Sequence, residues 1–324
     1  MAFAASGCPA SGGGGPAATG GAPGSSGGAV GSGSGGRSAT GGSVGGGGGQ
    51  PGSGGLAATG GAPGSGGSAG TGGGAAGAGG AGTGTGGAGA GGGSGVAPFL
   101  NEDFEAGIVG KQPAGWDNFI SYQKNNMNPD GAGMMAVVDA TRAHSGKNSV
   151  HVHGGGSPAM LTRPLPTGTN KLYVRGYFYM SRQLGMNPNA NHETLIGIRK
   201  TAGNAEVRFG EIKGVIGTNE VPSDNISPRM DQWGKGPVVA ANKWACIEVA
   251  FLADQPQHTL TAWADGVMVH SITASDQWQN GVLPMNWMNG KFVELIVGWH
   301  SFSSATADIW MDDLVLSTGR IGCD

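Results

Sequence analysis

The first 97 residues of this 324-residue chain hold one charged residue, Arg37, and one aromatic, Phe3; nearly all the others are Gly, Ala, Ser, Thr and Pro. A segment so poor in apolar side chains buries nothing that would offset the entropy of ordering its backbone. Residues 1–97 are therefore expected to form a disordered Gly/Ala/Ser-rich linker. The stretch AATGGAPGS occurs at 17–25 and again at 57–65, without a recurring hydrophobic position that could stack into a solenoid. Glycine does not fall at every third position, which excludes a collagen-like triple helix. The residues that can make a core lie in 98–324.

That second part carries all 21 acidic residues and 17 of the 18 basic ones. Its formal charge of −4 argues against nucleic acid as a partner. Its length suits one large domain. No run of about twenty apolar residues is present to span a membrane. Near the start, MAFAASGCPASGGGG places small residues before Cys8, as at a bacterial lipoprotein cleavage site, although the charged and apolar parts of a signal peptide are missing. Two readings stand: Cys8 is a lipid anchor, or the stretch is only the start of the linker. A long tether before a folded domain suits a secreted or outer-surface protein, expected to be monomeric. Cys246 and Cys323 are most simply a disulfide in such a protein, the alternative being two buried thiols.

Residues 98–324 read as strands separated by Gly, Pro and Asn turns. Nine are clear: 148–153, 172–180, 194–199, 206–212, 246–252, 259–265, 267–273, 293–299 and 309–316. Asp265-Gly266 between alternating segments signals a tight hairpin. No three-turn amphipathic helix is evident. So many strands without a repeat predict an all-β, concanavalin-like jelly-roll sandwich. Tyr177, Arg199 and other aromatic and charged residues recur inside strands. On a curved solvent face they would hold a sugar chain; otherwise they are core aromatics and solvated charges. The loop RMDQWGKG, 229–236, offers Trp233 for stacking on a sugar ring.

Several stretches, taken in order, resemble a known family. They are EDFEAG (102–107), AHSGKNSVHVHGG (143–155), LYVRGYFYMSRQLG (172–185), NHETLIGI (191–198), VRFGE (207–211), WACIEVAF (244–251), VGWHSF (297–302) and MDDLVLSTGRIGC (311–323). The set is similar to the cellulose-induced secreted proteins of cellulolytic fungi, single jelly-roll domains similar in fold to glucuronan and alginate lyases. The resemblance implies a structural calcium ion held by Glu105, Ser145, Asn148 and Asp313, with Asp312 as a neighbour that could take the place of Asp313. Oxygen ligands of this mixture are what calcium prefers. The resemblance also matches the family's terminal cysteine to Cys323, with Cys246 as partner.

For function, the resemblance places a cleft Arg at Arg208 and a cleft Asp at Asp224, and makes His192 a candidate base. It departs from the family at Ile212, where a Gln is expected, and at Phe302, where a Tyr is expected; His300 beside it is the available substitute. A polyuronate lyase needs a cation for the uronate carboxylate and groups that take and give protons, tasks that suit Arg, His and Tyr. A glycosidase needs two opposed carboxylates, and no such motif stands on one strand. No nucleophile arrangement or His/Cys zinc cluster is apparent. Two readings result: an exported polysaccharide lyase acting on a uronic-acid chain, or a non-catalytic carbohydrate-binding module. They differ in whether Arg208, Asp224, His192 and His300 converge in one groove.

Overall fold

The computed structural model of the chain describes residues 96–125, 135–199 and 205–323. Cys8 and nearly all of the expected linker fall outside these residues. In chain order the strands are β1 (Leu100–Glu102), β2 (Asp117–Ile120), β3 (Gln123–Lys124), β4 (Met135–Asp139), β5 (Ser149–Gly154) and β6 (Ala159–Pro164). There follow β7 (Lys171–Met180), β8 (His192–Arg199), β9 (Glu206–Ile212), β10 (Val215–Glu220) and β11 (Asn225–Ser227). The last five are β12 (Trp244–Leu252), β13 (Thr259–Ala264), β14 (Val267–Ile272), β15 (Glu294–Ser301) and β16 (Ala307–Ser317). Among the described residues the only helical element is a 3-10 turn, Met230–Gln232.

The strands form two antiparallel sheets. The first runs β14-β13-β12-β7-β16-β5-β4, with β1 also paired to β16; the second runs β11-β10-β9-β8-β15-β6-β2-β3. The apolar faces of the two sheets share one core, to which Phe178, Phe251, Ile309, Phe209, Leu295 and Trp299 belong. This is the jelly-roll sandwich expected from the strand pattern. β7 shows why the sheets pack this way: Leu172, Val174, Phe178 and Met180 are buried, and Tyr173, Arg175, Tyr177 and Tyr179 between them face outward.

All nine expected strands are present, with ends displaced by at most two residues. Asp265 and Gly266 both have left-handed φ, 48° and 79°, which the mirror-image hairpin turn requires. Cys246 and Cys323 are bonded, across a sequence separation of 77. The tail before Cys323 folds over β12, where the buried Glu248 carboxylate accepts the Ile321 and Gly322 amides at 2.7 and 3.2 Å.

Candidate active site

Alternation decides what the second sheet presents on the side away from the core. Val207 and Phe209 belong to the core, so Arg208 between them faces outward. The same holds for Arg199 after Ile198, and for Glu294, Ile296 and His300 around Leu295, Val297 and Trp299. At the end of β8 a register shift between Thr194 and Ile196 brings His192 opposite Ile212. Gly210 permits it, because a Cβ there would stand 1.8 Å from the Glu193 carbonyl oxygen.

Three predicted residues meet around the ring of Phe302, and a fourth, Asp224, stands behind one of them. The Arg208 guanidinium carbon lies 4.9 Å from its centroid. The His300 and His192 rings lie 4.2 and 6.2 Å away. His192 Nδ1 is 3.5 Å from Asp224 Oδ1, and that carboxylate also accepts Asn219 Nδ2 at 2.8 Å. Arg208 donates through Nε to Glu206. Its remaining nitrogens make no hydrogen bond among the described residues, so they are available to an anion. His192, Arg208, Asp224 and His300 therefore share one groove.

Sequence reasoning missed a fifth member. Tyr122 sits in the two-residue turn between β2 and β3, and its hydroxyl lies 3.1 Å from His300 Nε2. A phenol thus stands beside His300, on a different strand pair from Phe302. Ser121 and Tyr122 both have left-handed φ, 51° and 64°. This turn geometry favours Asn-Gly, so a Ser-Tyr pair carries no turn signal in the sequence. Strained turns of this kind concentrate at functional sites.

The electrostatics separate the two histidines from ordinary ones. Burial, with the Arg208 charge beside it, pushes His300 down to about 3, so it is neutral at physiological pH. Burial lowers His192 also, partly opposed by Asp224.

Arg199 needs correction as a sugar contact, and Tyr177 lies elsewhere. Arg199 is fully buried and donates to Glu294 and Glu206, so it meets no sugar; it holds the floor of the groove. Tyr177 lies on the first sheet, stacked on His144 with centroids 3.5 Å apart, and has no part in the groove. Trp233, directly after the 3-10 turn, is half-buried against the β9–β10 turn, where Lys213 Nζ stands 5.8 Å from its ring centroid. The Lys213 amide donates to the Asn191 carbonyl at 2.9 Å, which puts Trp233 beyond the end of β8 that carries His192.

The residues expected to hold calcium also come together, where the Phe104–Gly107 turn, the His144–Asn148 loop and β16 meet. Glu105 Oε1 accepts the Lys147 and Asn148 amides at 2.7 and 2.8 Å, and these bonds hold its carboxyl below the ordinary value. Asp313 Oδ1 accepts the Ser145 hydroxyl at 2.7 Å, and Oδ2 lies 2.7 Å from His144 Nδ1. Asp312 is different. It is fully buried and caps the amides of His144, Ser145 and Asp313, and burial raises it to about 6. A register shift in β16 after Asp312, with Asp313 at φ 48°, separates the two carboxylates. Donors here include Glu105, Asp313, Ser145 and Asn148, an oxygen-rich set that fits a hard cation. Gly146 keeps the cradle open, since a Cβ there would stand 2.3 Å from Glu105 Oε1.

Residues 112–319 match the family described as Polysacc_lyase-like: Cip1-like, core domain. The chain belongs to that family. Among solved structures this Cip1-like domain is similar to Cellulose induced protein, Cip1, with 23% identity and a TM-score of 0.49, covering 69% of this chain and 100% of that one. It is also similar to the binding domain of Botulinum neurotoxin DC in complex with rat synaptotagmin II (7% identity, TM-score 0.42, 69% and 48% covered). A third likeness is to the Botulinum Neurotoxin serotype G binding domain (11% identity, TM-score 0.38, 70% and 49% covered). No curated protein matches the chain. Membership ties the Cip1-like domain to carbohydrate. No helix among its described residues is long and apolar enough to cross a membrane.

Proposed function

We propose that this Cip1-like domain is an exported lyase that cleaves a uronic-acid-containing polysaccharide by β-elimination. The observation that carries the proposal is the grouping of an available guanidinium, an Asp-oriented histidine and a Tyr–His pair around one ring. Arg208 receives the uronate carboxylate and makes the neighbouring C–H more acidic. With Nδ1 turned to Asp224, His192 has Nε2 left to take that proton. The electron pair forms a C=C bond as the C–O bond to the next sugar breaks. Tyr122, hydrogen-bonded to neutral His300, gives its proton to the leaving oxygen.

The test is incubation of the full chain with polyglucuronate and alginate in the presence of calcium, following ultraviolet absorbance of the unsaturated product. A rise that Arg208→Ala abolishes is the expected result. A flat trace for the wild-type chain on each polyuronate would overturn the lyase reading. Retention on those glycans would then support a non-catalytic binding module. That reading is favoured by one observation: Ile212, buried beside His192, puts a hydrocarbon where the family has an amide.

We further propose that Glu105, Ser145, Asn148 and Asp313 hold a structural calcium ion that ties the start of the domain to its last strand. Chelation is expected to lower Tm, and added calcium to restore it. An unchanged Tm in both would remove the ion from the proposal. Export with a lipid on Cys8 belongs to the same reading, and mass spectrometry of the native protein tests it.

A further inference from the structure

We infer that the outer face of the first sheet is a second binding surface, for an acidic polysaccharide chain, on the side of the sandwich away from the groove. Trp244 pairs with Tyr179, Tyr179 with Trp310, and Trp310 with His151, so four rings stand in one row across β12, β7, β16 and β5. At about 4.8 Å between strands the row is about 14 Å long. The rings touch along it: Tyr179 meets Trp244 and Trp310 edge-on at 5.8 and 5.9 Å, and His151 lies parallel to Trp310 at 4.2 Å. All four remain partly exposed, His151 with 13% of its side chain. Outward positions of a solvated sheet are ordinarily polar, and a continuous aromatic row there marks a contact surface.

The chemistry of the occupant follows from charge. Arg142 is exposed and lies over the row, its guanidinium carbon 4.1 Å from the Tyr179 centroid and 4.7 Å from that of Trp310. It forms no ion pair among the described residues. The carboxylates nearby are engaged. Asp139 accepts Trp310 Nε1 at 3.0 Å and the Thr141 amide at 2.7 Å. Asp308 Oδ1 lies 2.9 Å from His151 Nε2 and 2.8 Å from His153 Nδ1. Arg142 is therefore the charged group at the row left without a partner among the described residues, and its guanidinium sits on the rings. A uronate residue offers both halves of the match: a C–H face that packs on an aromatic ring and a carboxylate for the guanidinium. A flat row across several strands suits successive residues of an extended chain. The inference rests on the lyase proposal for its ligand class, and not for any chemical step.

Affinity electrophoresis of the full chain tests it, in gels containing polyglucuronate and in gels containing neutral hydroxyethyl cellulose. The wild-type chain and Arg208→Ala are expected to be retarded by polyglucuronate, and less so as salt is raised. Arg142→Ala, and Trp244→Ala with Trp310→Ala, are expected to lose about tenfold in apparent affinity. Arg142 is exposed, so its variant keeps the wild-type Tm, and a loss of retardation there reports binding rather than unfolding. Retardation of Arg142→Ala equal to wild type would overturn the inference. So would retardation lost only in Arg208→Ala, or seen only in the neutral gel. The lyase reading fails separately, on a flat absorbance trace.

Discussion

On the first sheet the outward side chains of β7 are Tyr173, Arg175, Tyr177 and Tyr179, all half-exposed. On the second sheet the outward positions hold Arg199, Glu206, Glu294 and Thr162, none more than 6% exposed. The first face meets water with aromatic rings stacked on one another. The second removes charges from water and must pair them in series. Lys124 stands between Asp117 and Glu294 at 3.1 and 3.0 Å, Glu294 meets Arg199, Arg199 reaches Glu206 at 3.4 Å, and Glu206 meets Arg208. Signs alternate along the whole series, and Arg208 is its last member, with nitrogens to spare at the groove. The contrast teaches that the groove is held by electrostatics that cannot be loosened at one point, whereas the aromatic face is held by packing.

The largest effect is therefore expected inside the series. Arg199→Met leaves Glu294 and Glu206 buried without their shared cation, which costs about 3–5 kcal/mol. On the first sheet Lys171→Met breaks a half-exposed pair with Asp254 and costs under about 1 kcal/mol. Urea denaturation of the two variants measures the difference, and equal losses would break the comparison. Next comes the tail that covers part of the first face. Cys323→Ser opens the bridge to Cys246 across its separation of 77, worth about 4 kcal/mol by chain entropy. A melting temperature that reductant leaves unchanged would show that Glu248 alone holds the tail.

The same contrast explains what the sequence made legible. Strands such as β7, with one face in the core and one in water, betray themselves by alternation, and the Asp265-Gly266 hairpin by its turn chemistry. Seven strands, β6 and β10 among them, lie outside the nine read from the sequence. β10 is buried at every position and β6 at four of six, so neither alternates. Arg199 escapes a reading of the sequence for the same reason: a charge in a strand reads as solvated unless its partners are known, and Glu206 and Glu294 come from other strands. Arg208, His192, Asp224 and His300 could be named from resemblance, but their meeting around Phe302 depends on a register shift in β8. Tyr122 left no trace, because a Ser-Tyr turn looks like ordinary strand.

A middle-sized effect joins the two sheets. His270 on β14 lies 3.0 Å from the Thr218 hydroxyl on β10, and burial lowers it to about 4. Folding favours its neutral form. The stability that follows is fully present above the unfolded value of 6.5 and is lost as pH falls toward 4. It amounts to roughly 3 kcal/mol. His300, lowered to about 3, acts in the same direction. Melting curves between pH 7 and 4 should fall, and His270→Gln should flatten that fall whatever its effect at neutral pH. A parallel slope would place the loss at other groups.

A small expected change in stability, beside a large one in turnover, separates the groove's chemistry from its architecture. Tyr122 is 59% exposed, and its hydroxyl lies 3.1 Å from His300 Nε2 and 3.5 Å from the Gly156 carbonyl oxygen. Tyr122→Phe keeps the ring, which packs edge-on against Phe119 and His300 at 6.3 and 5.6 Å. Losing one hydrogen bond at such a site costs about 0.5–1.5 kcal/mol. If the phenol supplies the proton to the leaving oxygen, turnover of polyglucuronate falls about 10²–10⁴-fold with Tm almost unmoved. Equal turnover in Tyr122→Phe would return the acid role to His300, whose low proton affinity suits it poorly to donate at neutral pH. The pH profile of the variant then decides between them, because an acid role for His300 would move the optimum well below neutrality.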